Sequence, residues 1–463
     1  MDTNKIYHQS CLETMKRMDV GVIDLVCCDP PYGYSFMGKD WDKVVMGVEY
    51  WQECLRVLKP GAFCFVMASP RQDVLSRQII RLQDAGFDVG FTSIYWAYAS
   101  GFPKAGNIGK LVDKRLGVDG NIVGYSQEGF KSITSERVNQ GYRKNLTVAN
   151  ERDKIPITTP SSDEAKELDG SYSGFQPKPA VEVVIVAMKP LSEKTFIDQA
   201  LKNKKGVTWL DDCRIPYESE GDKEGARYGS QADIRGGNLI TPNGIKGKDV
   251  LSSNTGRFPA NLLVSDGIVD DGDNKTHGKS DKPYSYQGKE YKAEGFIKDI
   301  RHNGPSNYGD EGSFSRYFDL DKWWQEQIKD LPKKVQKSYP FMIVPKASKG
   351  EKNEGLDGME EKKMDYEDTS RTNKVTADKY GCERKSIAQN HHPTVKPVKL
   401  MSYLITLGSR VGDVVYDPFA GSGTTLIAAE ITRRKWIGSE ISEEYHKIAQ
   451  ERIKRELYQL KLF

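Results

Sequence analysis

The feature that most narrows the fold is the regular alternation of short apolar runs with helical periodicity over the first hundred residues. Val22 to Cys28 (VIDLVCC) is a buried-type run of β-forming residues, and Ala62 to Ala68 (AFCFVMA) is a second. Between them, Val44 to Leu58 spaces apolar residues at helical intervals until Lys59, Pro60 and Gly61 end the pattern. Gln72 to Ala85 repeats that spacing through Val74, Leu75, Ile79, Ile80 and Leu82, and Asp88 to Ala97 reads as a third strand. Strand, helix, strand, helix, strand with glycine at the exits predicts an α/β fold whose sheet is covered on both faces. At 463 residues the chain is long enough for two domains, or for one domain with large insertions.

Elsewhere the pattern is less even. Lys5 to Tyr7 predicts a short strand and Cys11 to Met18 a helical turn or two. Residues 102–175 alternate charged, glycine-rich and Ser/Thr stretches, with one helix expected over Gly109 to Arg115. A loop of that length is unusual in a compact core, so the segment reads as an inserted, partly mobile arm. Val181 to Ala187 restores a strong strand, expected at an antiparallel edge, and a helix is expected over Glu193 to Leu201. Between Asp270 and Gly312, tyrosines interleave with lysines and arginines, which suits phosphate contacts and base stacking; taken alone, the stretch is better described as a solvated surface. Tyr339 to Val344 predicts a short strand, and Lys346 to Gln389 a charged loop. From Val398 the chain tightens into helix (to Leu407), strand (Val414 to Tyr416), helix (Thr424 to Thr432), strand (Lys435 to Ser439) and a charged amphipathic helix (Ser442 to Leu457).

Composition narrows the function classes. With 37% hydrophobic and 29% charged residues the chain is expected to be a soluble globular protein. No apolar run approaches the roughly 20 residues needed to span a bilayer, and the first ten residues lack a signal-peptide core, so a cytoplasmic location is expected. Seven scattered cysteines form no CxxC pair and no histidine stands at ligand spacing, so no metal site is expected. A net charge of +3 neither identifies a nucleic-acid partner nor opposes one.

Two stretches carry chemistry. The first is Asp29, Pro30, Pro31, Tyr32 and Gly33, at the end of the first confident strand. The prolines cannot donate backbone hydrogen bonds and fix φ, so the turn is stiff and its carbonyls are free to accept from a ligand. Such a loop suits a flat group with a polar edge: Tyr32 stacks on one face, while Asp29 and the Pro30 carbonyl accept from an amine. The second is Asp417, Pro418, Phe419, Ala420, Gly421, Ser422, Gly423, Thr424 and Thr425, a glycine turn between a strand and a helix. In an open parallel sheet such a turn lets a ligand approach the backbone beside a helix N-terminus. Its spacing is neither the dinucleotide fingerprint nor a P-loop. Glu440 ends the following strand, where a carboxylate can accept from the two hydroxyls of a ribose.

DPPY followed by glycine resembles the catalytic motif of the DNA amino-methyltransferases, which methylate the exocyclic nitrogen of adenine or cytosine. FxGxG after a strand, Glu440 and the upstream HPTVKP (residues 392–397) are similar to the S-adenosylmethionine site of the same family. The resemblance covers roughly residues 5–100, 177–190 and 388–450, and the GFPKAGNIGKLVDK and GRFPANLLVSDG segments resemble those of phage and prophage members. It implies a Rossmann-like, seven-stranded methyltransferase sheet, circularly permuted in the order called beta. Residues 1–190 would be the catalytic half, with an inserted arm at about 102–175. Residues 191–390 would form the target-recognition region and 391–463 the cofactor half.

It further implies catalytic roles for Asp29, Pro30, Pro31 and Tyr32. For the cofactor it implies Asp417, Phe419, Gly421, Gly423 and Thr424 around the pocket, Glu440 on the ribose, and Pro393, Thr394 and Lys396 over the methionine end. Many members carry Gly-Asp after their first strand where this chain has Gln9 and Ser10, so Ser10 would supply only part of that contact. The implied partner is double-stranded DNA, with monomer and homodimer both open. Aspartate at position 29 leans toward adenine-N6 over cytosine-N4. An inactive nucleic-acid-binding scaffold, or methylation of RNA or protein glutamine as at related NPPY sites, are the alternatives.

Overall fold

The computed structural model describes residues 1–33, 43, 45–98, 105–126, 155–175, 181–217, 219, 223, 256–264, 319–329, 362–364, 386–388 and 395–461. They fall into two compact units, one of residues 1–100, 181–364 and 387–463, the other of 101–180 and 365–386.

The larger unit is built on an eight-stranded sheet: β1 (Lys5–His8), β2 (Ile23–Cys28), β3 (Leu58–Ala68), β4 (Ile94–Ala97), β5 (Val181–Met188), β6 (Leu262–Val264), β7 (Val414–Asp417) and β8 (Lys435–Glu440). Their order across the sheet is β1, β8, β7, β2, β3, β5, β4, β6. All neighbours are parallel except the two pairs made by β5. The α/β expectation therefore holds, with two differences. GRFPANLLVSDG contributes β6 as an eighth strand, and the antiparallel strand lies inside the sheet, between β3 and β4, rather than at its edge. An interior place suits its sequence, because VEVVIVAM has apolar residues for both faces.

Alternation along the strands supplies two cores. The helices that cover the sheet include α1 (Cys11–Lys16), α2 (Val48–Val57), α3 (Gln72–Asp84), α4 (Leu320–Ile328), α5 (Val398–Gly408) and α6 (Thr424–Ile431). Leu25, Cys27, Phe63, Phe65 and Met67 face one way, against α5 and α6. Val26, Cys28, Cys64 and Val66 face the other way, with Met15 of α1, Trp51 and Cys54 of α2 and Leu82 of α3. A final helix, α7 (Glu443–Lys461), follows β8. Close approach of α5 to the sheet depends on Gly408, where a Cβ would stand 2.8 Å from both Leu25 Cδ1 and Phe65 Cε2. α4 falls in a stretch with no helix expected from sequence. Asp319 caps its N-terminus, Trp323 packs edge-on against Tyr403 of α5 at 5.0 Å, and Asp321 pairs with the buried Lys399.

The other unit holds more structure than the arm expected over residues 102–175. A helix at Ile108–Leu116, capped by Asn107 and ended by left-handed Gly117, and a short helix at Asp163–Glu167 accompany an antiparallel pair, Asn121–Ser126 with Ile155–Thr159. Asp113 accepts from Ser161 N at 2.7 Å and from Ser162 N and Oγ at 3.0 and 2.6 Å, which ties the two helices together. The expected strand at Tyr339 to Val344, the Tyr/Lys stretch at 270–312 and most of the charged loop at 346–389 lie outside the described residues.

Candidate functional site

Strand register explains how distant parts of the chain meet. β7 lies beside β2, with Tyr416 opposite Val26, and beside β8, with Asp417 opposite Gly438. β8 in turn lies beside β1, with Glu440 opposite His8. All four strands run the same way, so Ser10, Glu440, Asp417 and Asp29 emerge from adjoining carboxyl ends. The chain proceeds outward from β7 to β8 on one side and from β2 to β3 on the other. The crevice between β7 and β2 is therefore a topological switch point, where ligands bind in open sheets of this kind.

A cavity of about 260 Å3 opens there. Ser10, Asp29, Pro30, Pro31, Tyr32, Lys396, Asp417, Phe419, Gly421, Thr424 and Glu440, all singled out in sequence, line it. Gly423 does not line it; as the N-cap of α6 it has φ +84°, and a Cβ there would stand 3.1 Å from Ala449 Cβ. Pro393 and Thr394 lie outside the described residues.

The glycine turn is shaped by backbone donors. Phe419 N donates to Asp417 Oδ1 at 2.9 Å, Ala420 N to the Ser439 carbonyl at 2.9 Å and Gly423 N to the Ala420 carbonyl at 2.7 Å. Glu440 accepts from Gly421 N on one oxygen and from Ser442 N on the other, both at 2.8 Å. Phe419 is braced edge-on by Trp51 at 6.1 Å. Burial raises the Asp417 carboxyl to about 7, assisted by the charges of Asp29 and Glu440 and opposed by the bonds from Thr425 and Phe419. Burial also raises Glu440, against the pull of its backbone donors. Among the described residues neither carboxylate has a lysine or arginine ion-pair partner.

The opposite wall is held by side chains. Lys396 Nζ lies 2.8 Å from Asp29 Oδ2 and 3.1 Å from Glu182 Oε2. It also donates to Tyr32 Oη at 3.2 Å, and its ammonium stands 5.3 Å from the Tyr32 ring centre. The Tyr32 hydroxyl donates to Asp29 Oδ1 at 2.7 Å and approaches Glu182 Oε2 at 3.4 Å. These groups are sheltered: the Lys396, Asp29 and Glu182 side chains are 8, 17 and 14% exposed. Burial raises the Asp29 carboxyl; Lys396 opposes that shift and Glu182 adds to it. Burial alone would lower the Lys396 ammonium, but the two carboxylates outweigh it and raise it above its ordinary value.

Glu182 was not singled out in sequence. It is the one acidic residue in VEVVIVAM. A charge inside an otherwise apolar strand was the available signal, since such a group needs a partner. Cys11, Tyr50 and Tyr445 also line the cavity without having been expected there.

Comparison with known proteins gives a local likeness. Residues 281–451 match the family model described as DNA methylase. The orphan methyltransferase M.BamHII of Bacillus amyloliquefaciens is 52% identical over 63 residues, 14% of this chain and 24% of that protein. The DNA adenine methyltransferase YhdJ of Escherichia coli K12 is 48% identical over 63 residues, 14% of this chain and 21% of that protein. The chain thus spans about a quarter of the length of the curated relatives it matches. The solved PvuII cytosine-N4-specific DNA methyltransferase aligns over 98% of this chain and 86% of its own, at 15% identity and a TM-score of 0.38. No helix among the described residues is long and apolar enough to cross a membrane.

Proposed function

We propose that this chain is a DNA amino-methyltransferase that uses S-adenosylmethionine and acts on the exocyclic N6 of adenine in duplex DNA. One observation carries the reading: the DPPY loop and the FxGxG turn with Glu440 wall a single cavity at adjoining strand ends. The donor set fits the cofactor. Two buried carboxylates that have no lysine or arginine ion-pair partner among the described residues suit a ligand that carries positive charge and sugar hydroxyls, and Phe419 offers an aromatic face. Glu440 would take the ribose, with Ser10, Asp417, Phe419, Gly421 and Thr424 forming the pocket and Gly423 shaping the turn. Pro393, Thr394 and Lys396 complete the set that the motif implies. When bound, the cofactor supplies an electrophilic methyl group on a sulfonium.

An exocyclic amine is a poor nucleophile because its lone pair is conjugated with the ring. Asp29 and the Pro30 carbonyl accept its two hydrogens and favour the pyramidal amine, while Pro31 stiffens the loop and Tyr32 stacks on the base. The base must leave the duplex to reach this wall, at a cost of roughly a few kcal/mol that protein contacts offset. No cysteine nucleophile is needed: burial pushes the cavity-lining Cys11 thiol up to about 12, so it stays neutral at physiological pH. Residues 1–190 and 391–463 would form the two halves of the methyltransferase domain and 191–390 the target-recognition region. Asp29 and the stretch shared with a relative named as an adenine methyltransferase support adenine over cytosine.

The test is incubation of duplex DNA with the protein and tritiated S-adenosylmethionine, followed by mass spectrometry of the nucleosides. N6-methyladenine is expected; N4-methylcytosine would reassign the base. Label entering only RNA or protein offered in parallel would reassign the substrate. No transfer, with no cofactor binding by calorimetry, would leave a nucleic-acid-binding scaffold. Light scattering of the same sample distinguishes monomer from homodimer.

A further inference from the structure

We propose that Glu182 is a positioning residue for Asp29: it holds the Lys396 ammonium between two carboxylates, so that Asp29 keeps accepting capacity for an incoming amine. The inference rests on the reading of Asp29 as the amine acceptor. Glu182 itself does not line the cavity, so it acts through Lys396 and Tyr32 rather than on a ligand.

The geometry supports a shared cation. Lys396 Nζ is 2.8 Å from Asp29 and 3.1 Å from Glu182, nearly equidistant, and the same Glu182 oxygen lies 3.4 Å from the Tyr32 hydroxyl. The other oxygen accepts from the Tyr98 hydroxyl at 3.5 Å. Glu182 is fixed by its strand, paired opposite Trp96 of β4, so the Lys396 side chain reaches toward a rigid anchor. Two carboxylates against one ammonium leave one formal negative charge in a sheltered site. Without Glu182 the Asp29 carboxylate would be the one described carboxylate left to the ammonium. Its hydrogens, with that of Tyr32, would then compete with the base amine for the acceptor sites of Asp29. Without Lys396, two carboxylates would face each other without a counter-charge, and one would take up a proton.

Among the described residues, the charged and titratable groups around Asp29 are Lys396, Glu182, Tyr32, Asp417 and Cys27. Removing one charge at a time gives opposite signs. Glu182→Gln removes a like charge and lowers the Asp29 pKa. Lys396→Met removes the opposite charge and raises it.

The experiment is the pH profile of single-turnover methyl transfer on duplex DNA by the full chain at saturating S-adenosylmethionine. E182Q is expected to slow transfer about tenfold near neutral pH, to move the acid limb down by about one pH unit, and to leave cofactor affinity unchanged. E182D, which keeps the charge, is expected to restore the limb. If E182Q slows transfer equally at every pH with the limb fixed, Glu182 is a structural filler and the inference fails. Should E182Q not fold, K396M decides: an upward shift of about one unit supports the shared cation, and an unmoved limb overturns it. A wild-type chain that transfers no methyl group to any nucleic acid would instead sink the functional reading on which the inference stands.

Discussion

The two walls of the cavity are held by different kinds of bond. The turn from Asp417 to Gly423 is fixed by backbone amides that donate to Asp417, Glu440 and neighbouring carbonyls. The loop from Asp29 to Tyr32 has prolines at two of its four positions, and what holds it is the set of side chains Lys396, Tyr32 and Glu182. Backbone donors are anchored by the strands and helix that carry them. Side-chain donors can trade one acceptor for another by rotation. The first wall is thus a preformed receptacle, and the second is a set of exchangeable contacts suited to a substrate that arrives and leaves.

The contrast predicts that damage to each wall is read by a different measurement. The largest effect is expected from Asp29→Ala, which should cut single-turnover methyl transfer at least about a hundredfold while calorimetry shows unchanged cofactor affinity. An equal loss of cofactor binding would mean that the walls do not work separately. Glu440→Gln keeps an acceptor but loses the charge, so the cofactor dissociation constant should rise about tenfold, with little change in rate at saturation. A rate loss that saturation cannot rescue would break the distinction from the other side.

Gly423→Ala forces a side chain onto φ +84° and against Ala449, and should lower stability by about 1 kcal/mol or more, with weaker cofactor binding. Urea denaturation and calorimetry report the two effects. The smallest effect concerns pH. With the Asp417 carboxyl raised to about 7, a cationic ligand that favours its ionised form must displace a proton below that pH. S-adenosylmethionine should therefore bind a few-fold more tightly at pH 8 than at pH 6, releasing protons near neutrality; calorimetry in buffers of different ionisation enthalpy measures this. The same raised carboxyl makes its own contribution to folding stability greatest below about pH 4, where it is protonated in both states. That contribution declines as pH rises toward 7.

Much of this arrangement is written locally. Strand and helix periodicity around Ile23–Cys28, Gln72–Asp84 and Val414–Glu440 is strong because each element buries a whole face or both faces. Eleven residues singled out in sequence line the cavity because strand ends in a parallel sheet are where such loops must converge. Asp88–Ala97 was legible only in part. Of its ten residues Ile94–Ala97 pair as β4, while Asp88 makes an isolated bridge to Met188 at the end of β5; the segment has more residues between Asp88 and Ile94 than β5 has between Met188 and Val184, so the ladder is interrupted.

Sequence by itself therefore determined the element types, the stiffness of the DPPY loop and the permissive backbone of the glycine turn, all properties of a residue and its immediate neighbours. Only the tertiary structure decided which carboxylate shares the Lys396 ammonium. That pairing depends on β5 running antiparallel inside the sheet, which brings Glu182 beside a loop 150 residues earlier in the chain. No periodicity in VEVVIVAM marks its single charge as an anchor. Its role comes from an ammonium buried nearby; the lone charge in an apolar strand signals that a partner is needed, but which partner is set by long-range packing and leaves no local pattern to read.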